Sequence, residues 1–154
     1  MTKQLYWEDV EEGSEIPTLS KVATSQMLVK WAGATGDFNP LHYENAFAVS
    51  QGVEGPVVHG QLKRGWLAQL ITDWIGGQGT LKKLSCQFRA IDYPRLMKTL
   101  EEPQEGETWL CKGKVVRKYA EGGEHYVDCD IWVENEKGEK TTPGKATVAL
   151  LSRG

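Results

Sequence analysis

Apolar residues recur at helical spacing in the first half of the chain and alternate at strand spacing in the second. Met27, Leu28, Trp31 and Ala32 share one stripe behind Thr24 and Ser25, either of which can cap a helix by accepting backbone N–H groups. Gly33 and Gly36 offer a stop, and Pro40 suits the first turn of a second, short helix. The clearest pattern is Val58, Leu62, Trp66, Leu70 and Trp74 in steps of four, widened by Leu67 and Ile71 and ended by Gly76 and Gly77. It predicts one long helix over 58–75. Downstream, Leu84, Cys86, Phe88 and Ala90 alternate with polar residues, which predicts a strand. Segments 109–119, 126–133 and 146–151 are three more strands, with a turn at Asn135-Glu136-Lys137-Gly138. Helices followed by antiparallel strands make this an α+β chain, with a sheet expected to wrap the long helix.

A length of 154 residues points to a single domain over 1–154, with enough chain for a real core. The formal charge of −3 removes the electrostatic argument for a nucleic-acid partner. No apolar run reaches the ~18 residues of a membrane span, and the acidic start has no secretory h-region. With three cysteines and no CxxC, neither a disulfide framework nor a zinc knuckle is expected. A cytoplasmic setting with reduced thiols follows. Cys86 and Cys129 are in phase with apolar strand neighbours, and Trp31, Trp66 and Trp74 with apolar helix neighbours, so these residues are assigned to the core. The acidic stretches 8–15 and 101–107 are expected to be solvated loops.

The segment Thr35-Gly36-Asp37-Phe38-Asn39-Pro40-Leu41-His42 carries candidate chemistry. Taken alone, Asp-x-Asn-Pro is ordinary turn chemistry, and His42 could be a satisfied histidine at a helix start. In the functional alternative, Asp37 and His42 converge on one rigid turn and hold a water between carboxylate and imidazole. A second segment, Gly55-Pro56-Val57-Val58-His59-Gly60, opens the long helix. Its N-terminus presents unpaired N–H groups, and Gly60 lets a ligand oxygen approach them, a setting that stabilises an enolate formed from a thioester carbonyl. His59 is equally readable as a helix-capping histidine.

The stretches GDFNPLHYENAFA and PVVHGQL together closely resemble the MaoC-like, or hydratase 2, family of (R)-specific enoyl-CoA hydratases. Gly36, Asp37, Asn39, Pro40, His42, Ala48, His59 and Gly60 carry the resemblance; it extends more weakly over most of the chain. It implies a hot-dog fold, a curved antiparallel sheet around one long helix. It also implies reversible hydration of a trans-2-enoyl-CoA to an (R)-3-hydroxyacyl-CoA. Asp37 and His42 would be the catalytic dyad, Asn39 would fix their turn, and the backbone at Gly60 would be the oxyanion donor beside His59. No metal and no separate cofactor are implied, CoA being part of the substrate. The expected assembly is a homodimer or higher homo-oligomer, with a heterodimer as the variant. A thioesterase or an acyl-CoA-binding subunit of a heteromeric dehydratase is the rival reading. A thioesterase on this fold usually carries a carboxylate on or near the long helix, where this chain has only Asp73, far from its start.

Two features depart from the family pattern. Lys63 falls inside the apolar stripe, between Leu70 and Trp74 on a helical wheel. It is expected either to face an anionic or polar part of the ligand, or to snorkel to water or meet a nearby acid. Residues 91–107 are longer than the turn expected there, and Leu96, Met97 and Leu100 have helical spacing ended by Pro103. This insert is expected to form an apolar helical turn over the acyl end of a substrate tunnel.

Overall fold

A computed structural model describes residues 3–154. After a 3-10 turn at Trp7–Asp9 the chain runs β1 (Glu15–Lys21), α1 (Ser25–Thr35) and a 3-10 turn at Pro40–His42. It continues through α2 (Asn45–Ser50), α3 (Gly60–Ile75), β2 (Thr80–Cys86), β3 (Trp109–Glu121), β4 (Glu124–Glu134) and β5 (Lys140–Leu150). The five strands form one antiparallel sheet in the order β1-β3-β4-β5-β2, with β1 and β2 at its edges.

The sheet closes over α3. Leu62, Trp66, Leu67, Leu70, Ile71 and Ile75 of the helix are buried against Trp109, Cys111, Val115, Val127, Cys129, Ile131, Val133, Ala146, Val148 and Leu150. Each Leu, Ile and Val side chain among these contributes roughly 1.5–3 kcal/mol when fully removed from water. The apolar stripe read from the sequence is therefore the core-facing stripe. Trp66 is buried, while Trp31 and Trp74 pack against the core from its margin. α1 begins where the Thr24 hydroxyl accepts Met27 N–H at 3.1 Å and ends at Gly36, whose φ of 76° is left-handed and open to glycine without strain.

One strand goes unforeseen and two sequence expectations are corrected. β1 carries no clean alternation, because Pro17 and a register shift between Ile16 and Leu19 break it; an edge strand tolerates both. The predicted strand through Ala90 instead ends at Cys86, leaving Phe88 and Ala90 exposed. Gln87 N–H donates to Pro143 O, but Pro143 has no N–H to return, so regular β2–β5 pairing stops there. Residues 91–107 form no helix. Arg95 is tied to the start of α1, its N–H bonding Ala23 O and its carbonyl accepting Ser25 N–H. The Thr99 hydroxyl accepts the N–H groups of Glu101 and Glu102, a local closure that competes with a helix and leaves Leu100 89% exposed at the tip. None of the helices is long and apolar enough to cross a membrane among the described residues.

Candidate active site

The turn after α1 is built from successive side chain-to-backbone bonds. Asp37 Oδ1 accepts Asn39 N–H at 3.4 Å, and Asn39 Oδ1 accepts Leu41 N–H at 3.1 Å. Asn39 thus caps the Pro40–His42 turn and is exposed beside the site. Tyr43 Oη donates to Phe38 O at 2.8 Å and closes the loop from outside. These bonds spend Asp37 Oδ1 on the turn and leave Oδ2 facing inward.

His42 is held by its other nitrogen. Its Nδ1 lies 2.7 Å from the Val57 carbonyl, while Val57 N–H donates to Leu41 O at 3.1 Å. A carbonyl only accepts, so Nδ1 carries a hydrogen and Nε2 of the neutral ring is a free lone pair. That Nε2 is 3.9 Å from Asp37 Oδ2. The distance is too long for a direct hydrogen bond, and a water about 2.8 Å from each atom fits at the apex of a near right angle.

His59 sits immediately behind. Its ring stacks on that of His42 with centroids 3.7 Å apart and planes 18° from parallel. Its Nε2 is 4.0 Å from the same Asp37 oxygen. It occupies the cap position of α3 but makes no capping bond, and neither ring nitrogen has a hydrogen-bond partner among the described residues. At 1% exposure it is buried behind the His42 ring. Burial first, and the neighbouring His42 second, push its pKa below 6.5, so His59 is neutral at neutral pH. Asp37, His42 and His59 offer ligand atoms within 4.8 Å of one another.

Gly60 opens α3 next to this pair, and no acceptor for its N–H is found among the described residues. A Cβ there would come within 2.9 Å of the Phe88 ring, so only glycine lets Phe88 lie against this backbone. His42, Val58, Gly60, Phe88, Ala90 and Ile91 border a cleft of about 260 Å³. A larger groove of about 450 Å³ between Trp132, Lys140 and Lys145 reaches none of these residues, whereas the smaller cleft is walled by His42 and Gly60, with Asp37 just outside its lining.

Lys63 also borders this cleft, but its charge is paired within the protein. The ammonium is buried, 2.7 Å from Asp92 Oδ2 and 3.2 Å from Ala90 O. Of the two expectations for Lys63, the structure takes the nearby acid, Asp92, over the ligand. Asp92, Thr141 and the Val57 carbonyl are the site residues that sequence reasoning missed. Nothing local marks them, since each meets its partner only across the fold.

The MaoC like domain family model matches residues 9–117. An (R)-specific enoyl-CoA hydratase of Aeromonas caviae is 35% identical over 63 residues, 41% of this chain and 47% of that protein; the matched stretch spans about half the length of that relative. The solved structure of an (R)-hydratase from A. caviae, described as involved in PHA biosynthesis, superposes with a TM-score of 0.76 at 22% identity, over 93% of this chain and 98% of the other. A chain of the ChsH1-ChsH2 complex from Mycobacterium tuberculosis superposes with a TM-score of 0.74 at 20% identity, over 91% and 98%. These likenesses are to the hot-dog fold.

Proposed function

The chain belongs to the MaoC-like domain family, and on that premise we propose that it hydrates trans-2-enoyl thioesters reversibly to (R)-3-hydroxyacyl thioesters. The observation that carries this reading is the pair Asp37 Oδ2 and His42 Nε2, 3.9 Å apart, neither hydrogen-bonded to another protein group among the described residues. A water between them donates one hydrogen to the carboxylate and meets the imidazole lone pair with the other. As its oxygen attacks the β-carbon, the dyad takes up a proton. The thioester carbonyl becomes an enolate, whose oxygen is met by Gly60 N–H at the positive end of α3. The proton then returns from the dyad to the α-carbon on the same face. Dehydration is the same path reversed. No cofactor is proposed, because the thioester is itself the electron sink.

The substrate class proposed is acyl-CoA. The proposed assembly is a homodimer, or a heterodimer with a related chain, that covers the exposed Phe38, Phe47, Phe88 and Ile91 around the site. The test is purified protein on a panel of enoyl-CoA thioesters, following loss of the conjugated absorbance, with chiral analysis of the product and sedimentation of the same sample. Turnover to the (R) product supports the reading, and an exclusively (S) product overturns it. An inactive chain that gains activity only with a second subunit supports the rival, an acyl-CoA-binding subunit of a heteromeric dehydratase. Release of free CoA without hydration would mark a thioesterase.

A further inference from the structure

The buried Lys63–Asp92 pair lies outside the water-holding dyad, and its bonds lead back to it. Asp92 is gripped at three places. Its Oδ2 accepts Lys63 Nζ at 2.7 Å and Thr141 Oγ1 at 2.8 Å, and its main-chain carbonyl accepts Val58 N–H at 2.8 Å. Lys63 also donates to Ala90 O at 3.2 Å, and the Thr141 carbonyl accepts the N–H groups of Arg89 and Ala90 at 3.0 and 3.3 Å. Residues 89–92 are thereby fastened to α3 on one side and to β5 on the other.

Val58 N–H and Val57 C=O belong to one peptide unit. The N–H side of that plane is held by Asp92, and its C=O side accepts the Nδ1 hydrogen of His42 at 2.7 Å. We infer that Lys63, Asp92 and Thr141 form a positioning clamp that fixes the Val57–Val58 peptide and, through it, the tautomer and orientation of His42. The chain runs Asp92 C=O to Val58 N–H, Val57 C=O to His42 Nδ1–H, and His42 Nε2 toward Asp37. Hydrogen bonds in series polarise one another, so an N–H engaged at one end strengthens the carbonyl at the other. The device suits a ring that must keep a lone pair on Nε2: a Val57 carbonyl held in place makes the Nδ1–H tautomer the favoured one.

A buried ion pair is a costly way to fasten a loop, since desolvation offsets much of the attraction. Its value here is geometric. Lys63 is one turn beyond His59 on α3, and Asp92 reaches it from a loop 29 residues away, so helix and loop are locked in register where Val57 and Val58 pass between them.

The part of this inference that concerns rate rests on the hydratase reading; the part that concerns His42 does not. Lys63→Met alone strands a buried carboxylate and is expected to disturb folding. The test is therefore Lys63→Met/Asp92→Asn, which removes both charges and leaves Thr141 an acceptor. Two readouts are taken: nitrogen NMR of the His42 ring, and kcat and KM on an accepted enoyl thioester. Wild type is expected to show one Nδ1–H tautomer. The double variant is expected to show a mixture, with kcat lower by about tenfold or more and KM within about twofold. A folded double variant with the wild-type tautomer and kcat overturns the clamp. If the double variant does not fold, Thr141→Val, which removes one bond and no charge, is expected to shift the tautomer in the same direction, and an unchanged His42 there overturns it. If wild type hydrates no enoyl thioester, the hydratase reading fails, while the NMR readout still decides the clamp.

Discussion

His42 and His59 lie face to face at 3.7 Å, and only His42 has a hydrogen-bond partner for a ring nitrogen. A positive His42 ring at that separation disfavours a charge on His59, and burial disfavours it further. Burial assigns the neutral role to His59.

This assignment sets a pH dependence of stability. In the unfolded chain His59 titrates near its ordinary 6.5; in the fold its value is lower. Between those two values the unfolded chain binds a proton that the folded chain does not, so stability is lost as pH falls through about 6.5 and below. The urea midpoint at about pH 5.5 should be lower than at about pH 7.5. His59→Phe keeps an aromatic ring against His42 and should flatten that dependence; an unchanged slope would remove the claim for His59.

Asp37→Asn and His42→Ala should each reduce hydration on the order of a hundredfold or more. The Asp37→Asn fold should survive, because the Asp37 side chain is 44% exposed and its one local bond is long, whereas His42→Ala gives up a 2.7 Å bond to Val57 O and should melt lower. Thermal melts alongside rates on one enoyl thioester separate the two effects. Wild-type turnover in both variants would end the dyad assignment.

Gly60→Ala tests the open approach to the α3 N-terminus. Its methyl would meet Phe88 at 2.9 Å and intrude on the wall of the cleft that Gly60 lines. kcat/KM should fall by about tenfold or more. Adding Phe88→Ala should relieve the crowding and any loss of stability but leave the methyl in the cleft wall, so the rate should stay low. Full recovery of rate in the double variant would show that crowding alone was responsible.

The thiols offer an independent check on the core. Burial pushes the pKa of Cys111 and Cys129 up to about 12, and that of the half-buried Cys86 up as well. Thiolate is the reactive form, so folded protein should take alkylating label at Cys86 at most, slowly, and at all three positions once unfolded. Mass spectrometry of labelled peptides reads this directly.

Much of this protein was legible in its sequence because the signals are local. The α3 stripe, the alternation through Val127, Cys129, Ile131 and Val133, the Thr24 cap and the Gly36 stop depend on residues within a turn or two of each other. The turn carrying Asp37, Asn39 and His42 is likewise closed by bonds spanning two residues. Tertiary structure decided the rest. Where β2 stops depends on Pro143 in another strand, and β1 is a strand because β3 offers it an edge. Residues 91–107 follow a course set by bonds to Ala23 and Ser25 that outcompete their helical spacing. Lys63 shows the division most clearly. Its place in an apolar stripe announced that a buried charge needed a partner, and only the fold, by bringing Asp92 and Thr141 to α3, determined that the partner was the protein itself.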